Sequence, residues 1–90
     1  MITRQQSLDL LHSHMQNANL RRHCYAVEAV MRELAKHFKD DEEIWGIVGL
    51  LHDGDYEEVK KDPSAHTLKM HQWLTDAGET DPRILEAILT

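Results

Sequence analysis

Ninety residues, 41% hydrophobic and 29% charged, can build one hydrophobic core and exclude multi-domain, tandem-repeat and large-barrel architectures. Sixteen acidic against ten basic residues give a formal charge of −6, which argues against binding along a nucleic-acid backbone, where phosphate neutralisation needs clustered Lys and Arg. The single cysteine, Cys24, cannot close an intramolecular disulfide, no apolar run approaches the ~18 residues a bilayer span needs, and residues 1–7 carry no apolar signal core; the expectation is a cytoplasmic protein without membrane contact.

In chain order the pattern is helical throughout, and the expected class is all-α, a bundle of about five helices. Thr3 and Gln6 fit a capping box, and Leu8, Leu11 and Met15 continue at helical spacing. The run Asn17-Ala18-Asn19 breaks that helix, with Asn19 taken as the next N-cap. The second helix carries an apolar stripe of Leu20, Cys24, Val27, Val30 or Met31, Leu34 and Phe38, opposite a polar face of Arg21, Arg22, Glu28, Arg32, Glu33 and Lys36. Asp40-Asp41 offers the following cap. The third helix, from Glu42 to about Asp53, is apolar nearly all round and belongs at the centre of the domain. Gly54 is expected to end it, residues 54–63 read as a polar loop, and Ser64 is expected to cap a fourth helix through Leu68, Met70, Trp73 and Leu74 up to Gly78. Thr80-Asp81-Pro82 starts a fifth helix carrying Ile84, Leu85, Ala87, Ile88 and Leu89.

Seven histidines are the compositional outlier, so their clustering decides what they mean. His52 and Asp53 are adjacent at the end of the most apolar helix. Counting back from Asp53 meets Gly49 and Gly46, a face without side chains that something must approach closely, because each glycine costs about 1 kcal/mol relative to Ala inside a helix. A carboxylate in such a place needs a partner, and a divalent cation is one economical choice. Antiparallel packing of the second and third helices would bring His23 beside His52 and Asp53. A lone histidine on an apolar stripe is commonly a satisfied core residue; the conjunction of three is what points to a metal. Imidazole-plus-carboxylate ligation suits Zn, Mn, Fe, Co or Ni better than Ca. His66, beyond the polar loop, is a fourth candidate. His12, His14, His37 and His71 lack such a context, and Cys24 reads as an inert buried thiol.

The order His23, then Leu50-Leu51-His52-Asp53-Gly54-Asp55-Tyr56-Glu57, then His66-Thr67-Leu68-Lys69, resembles the HD superfamily of metal-dependent phosphohydrolases, more narrowly its small members with an LLHDxDYE core. The resemblance covers about residues 19–90. It implies an HD-like helical domain over residues 1–90 that holds one or two divalent ions (Mn, Fe, Ni, Co, Zn or Mg). By position it implies His23, His52 and Asp53 as metal ligands and His66 as a holder of a second ion. It also implies Asp53 and Lys69 as catalytic groups, Lys69 facing a phosphate. The implied activity is hydrolysis of a small-molecule phosphate ester by metal-activated water. Asp55 is left between orienting a ligand or water and capping the loop.

The sequence departs from that pattern at its end. The family's final Asp ligand, and the His that small members carry soon after the segment matching Ala87-Ile88-Leu89, have no counterpart here. The expectations are a site of three protein ligands plus His66 that binds metal more weakly, a central helix left partly uncovered, and a chain that is the first part of a longer domain or a homo-oligomer covering its open C-terminal face. The competing expectation is a non-catalytic helical metal-binding or interaction module.

Overall fold

Thr3 opens the first helix as expected: its hydroxyl accepts from the Gln6 amide while the Gln6 side chain accepts from the Thr3 amide. From that start the computed structural model, which describes residues 1–89, gives α1 (Arg4–His14), α2 (Ala18–His37), α3 (Glu42–Leu51), the single-turn α4 (Tyr56–Val59), a 3-10 turn (Pro63–Ala65), α5 (Leu68–Asp76) and α6 (Pro82–Leu89). The protein is an all-α bundle of five substantial helices, and no strand occurs among the described residues. No helix is long and apolar enough to cross a membrane.

α3 is the central helix. It buries Ile44, Ile47, Leu50 and Leu51, which join Leu11 and Met15 from the α1 end, Met70 and Leu74 from α5, and Ile84 and Ile88 from α6 in one core. Asp41 caps it, accepting from the Glu43 and Ile44 amides. The closest packing in the molecule is α2 against α3, and the bare glycine face explains it. A Cβ on Gly49 would lie 2.8 Å from Met31 Cγ and 3.1 Å from the Val27 carbonyl oxygen, and one on Gly46 would lie among the guanidinium atoms of Arg32. What approaches that face is therefore α2 itself.

Several local expectations need correction. Asn17, not Asn19, caps α2, its Oδ1 accepting from the Asn19 and Leu20 amides. α2 is also rotated from the expected orientation. Cys24, Glu28 and Ala35 are its buried residues, whereas Val30, Leu34 and Phe38 are exposed. The expected polar face supplies the reason. Glu28 accepts from Arg4 Nε at 2.8 Å and from Arg32 Nε at 3.1 Å, and Arg32 reaches Glu43 at 2.8 Å. Burial works to raise the Glu28 carboxyl, but these guanidinium bonds outweigh it and hold its pKa below the ordinary glutamate value.

The helix α3 ends at Leu51 rather than near Asp53. Gly54 serves close approach and not a left-handed turn: a Cβ there would press on the Met70 methyl and lie 3.1 Å from the Leu51 carbonyl oxygen. Within the expected loop, α4 forms and buries Val59. Ser64 lies in the 3-10 turn, donates to Asp62, and does not cap α5. Gly78, with φ +96°, closes the α5 end as expected, and Asp81 caps α6, accepting from the Arg83 amide. On α6, Ile84 and Ile88 are buried in the core, and Leu89 is its large apolar side chain left exposed. The larger apolar exposure sits on α2, at Val30, Leu34 and Phe38.

Candidate metal centre

The end of α3 turns His52 and Asp53 outward from the core just where the first turns of α2 pass. His52 caps the helix, its amide donating to the Val48 carbonyl, and its ring Nδ1 donates to the Gly49 carbonyl at 2.8 Å. A carbonyl oxygen only accepts, so Nδ1 carries a proton and Nε2 is the nitrogen turned to the site. Nε2 then faces Asp53 Oδ2 at 2.9 Å. From α2, His23 Nε2 approaches the same oxygen at 3.4 Å, and the His23 and His52 ring centres lie 6.2 Å apart. The antiparallel pairing expected for these two helices has therefore brought the three groups together.

His66, delivered by the segment before α5, completes the arrangement on the other oxygen. Its Nε2 is 3.3 Å from Asp53 Oδ1, while its Nδ1 donates to Asp55 Oδ1 at 2.6 Å. Asp55 is fully buried, and its second oxygen accepts from the Met70 amide at 3.3 Å. It fixes the His66 ring and it serves as the acceptor at the start of α5, where Thr67, at φ +68°, makes no side-chain cap.

The donor set and spacing fit a divalent ion. At ligand bonds of about 2.0–2.2 Å, neighbouring ligand atoms around one ion stand roughly 3–3.5 Å apart. The Nε2 atoms of His23 and His52 and Oδ2 of Asp53 meet that requirement in two of their pairs, and all three lie within 4.8 Å of one another. His66 stands on the opposite oxygen, so the carboxylate faces two sides.

The flanks are less buried than the sequence pattern implied. The His23 side chain is 56% exposed, because the rotation of α2 that buries Glu28 leaves His23 at the solvent edge. His52, Asp53 and His66 are half-buried. Lys69 is exposed on the first turn of α5 and forms no hydrogen bond or ion pair among the described residues, so it is outside the bonded cluster. Cys24 is wholly buried; desolvation first, and the nearby Asp53 charge second, push its thiol up to about 11. It is inert, as expected.

Two further residues of the Asp-Tyr-Glu run act here. Tyr56 joins Met15, Leu20, His23, Cys24 and Asp53 around a pocket of about 250 Å³ beside the cluster. Glu57 accepts from the Gln16 and Asn17 amides, each at 3.0 Å, tying the α1–α2 joint to the segment that carries Asp53. Val59, an apolar residue one turn after Tyr56, is the sequence signal that could have shown a helical turn there. The remaining histidines bear out packing roles where partners are formed: His12 bonds the Tyr25 hydroxyl at 2.5 Å, and His14 stacks on Trp73 and bonds Glu58.

No protein-family model, curated protein or solved structure matches the chain.

Proposed function

We propose that His23, His52, Asp53 and His66 hold one or two divalent metal ions and that the protein is a metal-dependent phosphohydrolase of the HD type its motifs resemble. The observation that carries this reading is the convergence of three imidazole Nε2 atoms on the two oxygens of one carboxylate, two of the rings having their Nδ1 protons committed to Gly49 and Asp55. Rings oriented in this way turn Nε2 toward the carboxylate, where the lone pair of a neutral ring is available to a cation.

The residues would divide the work as follows. Asp53 Oδ2 with His23 and His52 forms one ligand group, and Asp53 Oδ1 with His66 forms a second. A bound divalent ion supplies water acidified toward neutral pH and offsets charge on a phosphoryl oxygen. Because that field is local, the net acidity of the chain does not exclude an anionic substrate. The pocket lined by Met15, Leu20 and Tyr56 would seat the organic part of the ester against His23 and Asp53. Cys24, held as a thiol, offers neither a ligand nor a nucleophile.

A second reading has its own support. All four groups are at least partly solvent-exposed and no Lys or Arg is bonded to them among the described residues, as suits a metal-holding module without turnover. Metal analysis after reconstitution with Mn or Ni tests the centre: stoichiometric metal in the parent, lost in both His52→Ala and Asp53→Ala, is expected, and no bound metal in the parent sinks the proposal. Metal-dependent hydrolysis of a generic phosphomonoester or of nucleotides then separates the enzyme from the module.

A further inference from the structure

The rotation of α2 leaves a continuous apolar ridge in solvent. Ala26, Val30, Leu34 and Phe38 recur every four residues, so they stand in one row along the helix, and Ala29 flanks them. Val30 is 58% exposed, Leu34 40% and Phe38 63%. Single exposed apolar residues are ordinary, but a contiguous row of them marks an interaction surface. Glu33 and His37 border it, and the groove they frame with Ala29, Val30 and Leu34 is shallow and open.

We infer that this face pairs with the same face of a second copy of the chain, with the two α2 helices antiparallel. The sequence of the row is self-complementary in that direction. With the two-fold axis midway between Val30 and Leu34, Val30 meets Leu34 of the second copy and the small Ala26 receives Phe38. A parallel pairing would set Phe38 on Phe38 and leave Ala26 facing Ala26 across a gap, which close packing disfavours. Charge points the same way. Arg22 stands at the start of α2, and Asp40, Asp41, Glu42 and Glu43 follow its end, so the basic end of one copy meets the acidic end of the other. Arg32 bonds Glu43 at 2.8 Å and Lys36 bridges Glu33 and Glu42, each at 3.8 Å, so with Lys39 the four carboxylates are only partly offset. A parallel pair would place like charge on like.

The pairing carries a consequence for the metal cluster. His23 lies one turn before Ala26 on the exposed side, so the interface runs to the edge of the ligand group and brings the second copy's acidic corner beside it. Self-association through α2 is independent of whether the cluster binds metal.

Sedimentation analysis from about 1 µM to about 1 mM, the span between moderate and weak association, tests the inference. The weight-average mass is expected to rise toward twice that of one chain. Leu34→Glu and Val30→Glu are expected to shift the midpoint at least tenfold upward with helical circular dichroism unchanged, because neither side chain supports the core. Arg22→Glu is expected to weaken association, and adding Glu42→Arg to it to restore the parent midpoint. A chain that stays monomeric throughout overturns the inference, as does a dimer indifferent to Leu34→Glu. A dimer broken by Leu34→Glu but untouched by Arg22→Glu overturns the antiparallel pairing.

Discussion

Asp55 holds two things at once, and replacing it separates them. Its carboxylate is fully buried, with Oδ1 2.6 Å from His66 Nδ1 and Oδ2 3.3 Å from the Met70 amide. In Asp55→Ala both donors lose their acceptor. A hydrogen bond involving a charged group contributes about 1.5–3 kcal/mol and a helix-start acceptor about 1 kcal/mol, so the expected loss of stability is roughly 2–4 kcal/mol. Asp55→Asn has the same shape but only one acceptor oxygen. With that oxygen on the Met70 amide, the amide NH2 faces His66 Nδ1, which must then accept; the ring proton moves to Nε2, the atom facing Asp53 Oδ1. The protonated Nε2 can still donate to Asp53, so the fold loses only about 1 kcal/mol, but the lone pair available to a cation is gone. Affinity at the His66 side should fall about 10–100-fold, the usual effect of removing a partner that orients a metal-bound ring. Urea unfolding measures the first quantity, calorimetric titration with Mn or Ni the second, and imidazole nitrogen chemical shifts report the tautomer. If Asp55→Asn destabilises the fold as much as Asp55→Ala while metal affinity and tautomer stay unchanged, Asp55 only caps α5 and the reasoning is refuted.

Three other outcomes follow from the packing. Gly46→Ala should destabilise the parent by about 1–3 kcal/mol, because the new Cβ displaces the Arg32 guanidinium from Glu28 and Glu43. In an Arg32→Ala background the same change should stabilise by up to about 1 kcal/mol, the helix propensity of Ala over Gly; equal effects in the two backgrounds, measured by urea unfolding, would show that Arg32 is not what fills the glycine face. The folded-state pKa of Glu28 is depressed, so its contribution is present above the unfolded value of 4.5 and is lost as pH falls through the folded one. Acid unfolding should therefore steepen below about pH 4.5 in the parent and flatten in Glu28→Gln. Cys24 is shifted the other way: its contribution is full below the ordinary thiol value of 9.0 and is lost as pH rises toward about 11. A thiol reagent at pH 8 should label native Cys24 only as fast as the chain unfolds; rapid labelling would contradict its burial.

The features legible in the sequence are those set by near neighbours. The Thr3–Gln6 box, the Asp41 cap and the Asp81-Pro82 start each need residues at most three positions apart, and each formed as read. The centrality of α3 was legible because a helix apolar on every side has no solvent face. The core of the site was legible for a similar reason: the His52-Asp53 doublet closes that helix, and a helix preceding it in an antiparallel pair must bring its early residues, His23 among them, to the same end. The cap of α5 was not legible, because its acceptor comes from Asp55, fifteen positions before Met70. Ser64, the local choice, bonds Asp62 instead.

The orientation of α2 shows why the remaining detail had to come from packing. Two stripes on that helix are equally helical in spacing: the expected one, through Leu20, Cys24, Val27, Val30 or Met31, Leu34 and Phe38, and one that leaves it at Cys24 and runs through Glu28, Met31 and Ala35. Hydrophobicity favours the first. Beyond Val27 the second is buried, because its one acidic residue finds Arg4 on α1 and Arg32 one turn on, while Gly46 and Gly49 on α3 open the space into which Arg32 and Met31 fit. A buried carboxylate alone would cost several kcal/mol; held by two guanidinium groups, it becomes the better face to bury. That choice depends on residues from three helices and cannot be weighed within one. It also has two linked results. The apolar row is left outside, and His23 is left at the rim of the cluster rather than under it, where solvent, a substrate or a second copy of the chain can reach it.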